Sequence, residues 1–316
     1  MAKAVFKTAR GFSVGVARLG RHGTGRGSPA QQIYDGDTVT VEADGNLGVR
    51  LLGVDAPELA FTLPEVAREA VDRRPGERFV ALTDSRWERF LSVEFVREIG
   101  LRAELRRHLE PLLGPGCAEN HSAHAKAARE ALRAEVARDL EELGQDREEF
   151  RFFMAFSSEI LDGYGRFLCF LNRDQPRGTR PPSYNDRLLQ DGHVVPYFIW
   201  PNVSPFREQP SLVDAVPRPR ARLRALGDTR ASVADARERG DGVWSAANPL
   251  RLLPFELRYV ARAGPPDRWV IDLSARDERL LAPELYGRID LPEDRLFVPP
   301  AFVALFETKG WRAVRS

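Results

Sequence analysis

The spacing of apolar and polar residues divides the chain into strand-like and helix-like stretches. FSVGVARL (12–19) predicts a strand, and the following GRHGTGRGSPAQQ (20–32) predicts a flexible connection. That connection has the glycines of a phosphate loop but lacks a Gly-Lys-Ser/Thr ending. TVTVEA (38–43) alternates with period two, Asp44-Gly45 supplies a turn, and VRLLGV (49–54) resumes, which together predict a β-hairpin. From 59 to about 149 the pattern is helical. One helical stretch covers 85–113 and stops at Gly114-Pro115-Gly116, and a second covers 121–143 and stops at Gly144. Strands return at 150–156 and 166–172, a short helix follows at 185–192, and VVPYFIWPN (194–202) is extended. A proline-rich segment (203–220) precedes a helix at 228–240, and a strand (RWVIDLS) and a helix (AFVALFETKG) lie beyond 249.

Composition narrows the class. The 316 residues include 47 basic and 46 acidic side chains, so the chain has no global field to attract a polyanion, and any phosphate recognition must be local. Apolar residues make up 43%, enough for a packed core, and the length suggests about two domains. No apolar run approaches the roughly 20 residues that span a bilayer, and the first twenty residues do not read as a secretory signal, so no membrane partner is expected. Cys117 and Cys169 are too few for a disulfide framework; Cys169, in FLCFL, reads as a buried small hydrophobe, and a reduced, cytoplasmic location is expected. Lysine occurs only at positions 3, 7, 126 and 309, so almost every cation is an arginine, a skew that base composition explains as well as function does.

Candidate chemistry lies at the ends of the predicted hairpin. Asp35-Gly36-Asp37-Thr38 precedes its first strand, and Asp55-Ala56-Pro57-Glu58 follows its second. A two-residue turn sets Asp37 opposite Leu52, a three-residue loop sets it opposite Asp55, and both registers bring the two aspartates to one end. Facing carboxylates repel unless a cation lies between them, and hard oxygen donors suit calcium or magnesium. Arg50 projects from an otherwise apolar strand and Arg166 opens another. A guanidinium fork matches the non-bridging oxygens of a phosphodiester, and Glu58, on a loop, can serve as a general base toward water. Singly, each has a plain reading: a turn aspartate, a solvent-side or loop arginine, a surface glutamate.

Together they carry more. The order DGDT, RLLGVDAPE, DGYGR and YFIWPN resembles the staphylococcal nuclease (thermonuclease-like) family, over roughly 10–57, 118–202 and 228–244. The resemblance implies an α+β chain with an OB-fold five-stranded β-barrel, packed helices, a helical insertion at 59–117 and a small C-terminal α/β extension. It places the domain at 1–248 and an accessory region at 249–316. It further implies calcium-dependent hydrolysis of DNA and/or RNA. Asp37 and Asp55 would bind calcium with the Ala56 carbonyl, Arg50 and Arg166 would clamp the phosphate, and Glu58 would act on the attacking water. Tyr164 and Tyr197 would line the nucleotide site. Ile199 and Gly163 depart from the family's tyrosine and lysine and should weaken nucleotide binding.

Two rival readings stand beside this one: a non-catalytic nucleic-acid-binding barrel, and a scaffold whose insertion 59–117 or C-terminal region binds a protein partner. His121 and His124, three apart, read as a solvated helix start rather than a zinc site. Arg218, Arg220, Arg222 and Arg224 read as a phosphate contact or a plain basic linker.

Overall fold

Glycine ends the long helix where the sequence indicates, and serines cap shorter ones. The computed structural model describes residues 4–7, 13–15, 17–32, 40–43, 45–64, 79–204, 211–220 and 226–315. The long helix Cys117–Leu143 ends at Gly144, whose φ of 60° is the left-handed conformation that closes helices at no steric cost. The expected helical stretch 85–113 is instead three short helices, Arg86–Phe90, Val93–Glu98 and Ala103–Leu109. Ser92 starts the second by accepting the Phe95 N–H at 3.2 Å, and Gly100, with φ of 72°, separates it from the third.

The chain divides into two compact units. One holds 1–50 and 159–169; the other holds 51–158 and 170–316. In the first, Ala17–Leu19 pairs antiparallel with Val41–Ala43, and the two-residue strands Arg21–His22 and Gly25–Arg26 form a small hairpin. The latter corrects the expected loose connection, which also contains a short helix, Pro29–Gln32. Glu42 accepts Arg21 at 3.1 Å and also Arg26, which ties the hairpin to the neighbouring strand.

The predicted pairing of 38–43 with 49–54 is not traced among the described residues. Val41–Ala43 lies against Ala17–Leu19, and Gly53–Asp55 lies against Val195–Ile199, with Val195 opposite Asp55. Both hairpin registers depend on residues 37 and 44, which lie outside the described residues. The strand that Gly53–Asp55 joins is buried at Val195, Tyr197 and Phe198.

The second unit is organised by a six-stranded mixed sheet. Its strands lie in the order 312–314, 279–281, 269–272, 295–298, 195–199, 53–55. Val195–Ile199 runs parallel to Arg295–Val298 and antiparallel to Gly53–Asp55, which explains its continuous apolar run: it is a strand inside the sheet. Residues beyond 249 therefore supply four of the six strands of this sheet, and they join the core rather than trailing from it. Trp87, Leu105 and Leu109 share one core with Phe198, Trp200, Tyr286 and Phe306. Burying each such side chain contributes about 1.5–3 kcal/mol.

The expected helical insertion is corrected at its start: Ala60–Thr62 and Phe79–Ala81 form an antiparallel ladder, with Phe61 and Phe79 packed edge to face. The fold is thus α+β, and among the described residues no closed barrel is traced.

The long helix is fastened by charge. Asp139, 1% exposed, accepts Arg187 at 2.7 Å and 3.1 Å, Arg173 at 3.0 Å and the Tyr184 hydroxyl at 2.6 Å. Glu135 accepts a further bond from Arg187 at 2.7 Å. Cys117 and Cys169 are buried, and burial pushes each thiol up to about 11, which leaves them as inert apolar side chains.

Candidate functional site

Asp55 ends the strand that pairs with Val195, and Pro57 turns the chain out of the sheet so that Glu58 follows on a loop. Asp55 is 1% exposed, a position that a carboxylate keeps only with a strong partner. The partner is Arg258, on the helix Pro254–Ala261. Its two terminal nitrogens donate to the two Asp55 oxygens at 2.8 Å and 2.7 Å, and one also donates to Glu58 at 2.9 Å. Burial opposes the guanidinium charge, but Asp55 and Glu58 outweigh it and hold the group above its ordinary range. The fork-on-fork geometry is the strongest form of this bond.

The helix that carries Arg258 is set by local chemistry. Pro254 occupies its first turn, and the Glu256 carboxylate accepts the Leu253 N–H at 2.8 Å. Leu257 and Val260 are fully buried on it, so Arg258 is held by a packed element and not by a loop.

Two further groups surround this ion pair. His121 accepts the Glu58 N–H on Nδ1 at 3.0 Å. It is fully buried, and burial pushes its pKa down to about 4. Accepting on Nδ1 assigns the ring proton to Nε2, which has no hydrogen-bond partner among the described residues. His124 is 8% exposed and bonds the Asn248 carbonyl at 2.9 Å. The expected solvated helix start is therefore corrected: both histidines face inward, and the helix begins four residues earlier, at Cys117.

Tyr197 is the other neighbour. Its ring stacks on Phe255 at 5.4 Å and its hydroxyl accepts Arg268 at 2.8 Å. At 7% exposed, it cannot offer a face to a base, which corrects its expected stacking role. Ala56 is exposed at the strand end. Asp55 and Glu58 are thus brought together, with Tyr197 beside them: the Arg258 guanidinium lies 5.8 Å from its ring.

The remaining sequence-derived residues belong to the other unit. Arg50 is half-buried on Val49–Leu51. Arg166 closes a tight loop: Asp162 Oδ1 accepts the N–H groups of Tyr164 and Arg166 at 2.8 Å and 3.0 Å, and Oδ2 accepts the Arg166 side chain at 2.7 Å. Gly165 supports the turn with φ of 77°. Burial pushes the Asp162 carboxyl up, but these donors outweigh it and hold the group below its usual range. Tyr164 is 61% exposed, with the Arg166 guanidinium 5.3 Å from its ring centre. Asp37 lies outside the described residues.

The donors near Asp55 do not fit a hard divalent cation. Both Asp55 oxygens are bonded to a guanidinium that is itself held in a packed helix, and Glu58 shares it. Among the described residues no three His, Cys, Asp or Glu side chains gather as a ligand set. Sequence reasoning missed Arg258 because nothing near it in the chain indicates Asp55, 203 residues away. One hint was available: in PFELRYVA the charged Glu256 and Arg258 interrupt a run otherwise fit for a core.

Comparison of the chain with known protein families gives no match, and no curated protein is significantly similar to it.

Proposed function

We propose that the chain is a calcium-independent nucleic-acid-binding protein built on a staphylococcal-nuclease-like OB barrel, in which the Arg258 guanidinium stands where that family places its cation. The observation that carries this reading is the double clasp of Arg258 on Asp55 and Glu58. A carboxylate charge-compensated on both oxygens by a fixed guanidinium would bind calcium only against that cation's repulsion, and a glutamate bonded to the same cation is a poor base toward water. The ligand class comes from the sequence resemblance and from the surface pair Tyr164 and Arg166, where an exposed ring lies beside a guanidinium. A base stacked on such a ring contributes about 1–3 kcal/mol, and arginine adds attraction to the phosphate.

The test is fluorescence anisotropy with short single-stranded DNA and RNA, in EGTA and again in added calcium, together with a plasmid and RNA degradation assay. The expected outcome is binding that weakens with salt, is indifferent to calcium and leaves the nucleic acid intact. The presence of Asp37, Arg50, Asp55, Glu58 and Arg166 together in the sequence favours a second reading, the calcium-dependent nuclease. Cleavage that needs calcium and is lost in Asp55→Asn would establish that second reading and overturn the first.

A further inference from the structure

A cavity of about 320 Å³ lies within the larger unit, away from the Arg258 ion pair. Its walls are largely apolar: Leu52, Phe153, Ala155, Phe170, Leu189 and Phe198 contribute. This volume lies within the range of small-molecule sites and is roughly twice that of a cavity known to hold benzene, room for about ten to twelve carbons.

The asparagine, serine and aspartate side chains in the wall are already hydrogen-bonded. Asn185 accepts the Leu171 N–H at 3.0 Å and donates to the Leu52 carbonyl at 2.8 Å. Asn172 donates to the Pro181 carbonyl at 2.7 Å and accepts the Arg173 N–H at 2.9 Å. Ser183 donates to Asp186 at 2.5 Å and accepts the Asp186 N–H at 3.2 Å.

Arg180 is the exception. Its guanidinium lies 3.6 Å from the Phe153 ring centre, and one terminal nitrogen donates to the Gln175 carbonyl at 2.5 Å. Its Nε is buried with no hydrogen-bond partner among the described residues. A buried cationic donor without an acceptor is costly, and an acceptor arriving with a ligand removes that cost.

The geometry points to a binding site for an amphipathic monocarboxylate, its apolar body in the cavity between Phe153, Phe170 and Phe198 and its carboxylate on Arg180. A planar carboxylate matches the guanidinium edge. A dianion is disfavoured because the Asp186 carboxylate also lines the cavity. The site is independent of the nucleic-acid reading, since neither Tyr164 nor Arg166 contributes to it.

The experiment is isothermal titration of the full chain with two acids, decanoate and 2-naphthoate, and with their uncharged counterparts, decanol and 2-naphthol. The two pairs separate a flexible lipid-like source from an aromatic one. The expected result is one-to-one binding of at least one acid, at least tenfold tighter than its alcohol. Arg180→Ala is expected to weaken the acid by about 10- to 100-fold and leave the alcohol unchanged. Ala155→Leu, which fills the cavity, is expected to abolish both. Failure of both acids to bind at 1 mM, or equal binding of acid and alcohol, overturns the proposal. That comparison needs no variant, so it stands even where Arg180→Ala folds poorly. Unchanged acid affinity in a folded Arg180→Ala protein overturns it as well.

Discussion

Replacing Arg258 with alanine tests the central feature of the molecule. Asp55 has 1% of its side chain exposed and Arg258 14%, so the pair is largely out of water. Removing the guanidinium strands the Asp55 charge and sets it near Glu58, a like charge that shared the same cation. Breaking a buried ion pair from one side costs about 3–5 kcal/mol. For a domain of this size, each kcal/mol shifts Tm by roughly 2–4 °C, so a fall of about 6–20 °C is expected. Arg258→Met keeps the apolar stem and is expected to lose nearly as much, because charge compensation and not packing is what disappears. Thermal and urea unfolding with and without calcium provide the assay. Freed carboxylates can then accept the cation: at ten times its Kd, calcium is expected to return about 1.4 kcal/mol to the variant and nothing to the wild type. Two results refute the reasoning. One is a variant within 1 kcal/mol of wild type; the other is a wild type that calcium stabilises as much as the variant.

Other outcomes follow from the same contacts. His121 is held neutral by burial, with its pKa pushed from 6.5 to about 4. Because the folded value lies below the unfolded one, its contribution is complete above about pH 6.5 and declines as pH falls toward 4. The loss is about 3 kcal/mol, and it should vanish from the stability–pH profile of His121→Gln measured beside wild type. Asp139→Ala removes the acceptor shared by Arg173, Tyr184 and Arg187, and is expected to cost about 3 kcal/mol in urea unfolding. Tyr164→Ala, at an exposed ring, is expected to leave Tm unchanged while weakening single-strand binding by about 1–3 kcal/mol in anisotropy titrations.

Much of the architecture is written locally. Gly144 and Gly240 end their helices in the left-handed conformation because glycine alone adopts it without a Cβ clash. Ser183 starts its helix by accepting the Asp186 N–H, and the apolar run around Phe198 marks an interior strand. The Asp162–Arg166 loop is local in the same sense, since its bonds span four residues or fewer.

What the sequence could not determine depends on partners far along the chain. The strand at 53–55 pairs with 195–199, about 140 residues further along the chain, and nothing in either segment announces that partner. His121 and Tyr197 are one type of residue on paper and another in place, since only packing decides whether a ring meets water or a buried amide. Arg258 is the sharpest instance. Its sequence neighbours make it a helix residue, and tertiary contact alone makes it the counter-charge of Asp55. Coulombic attraction in a dry interior acts through space, and no local pattern of residues encodes which distant carboxylate a buried guanidinium will meet.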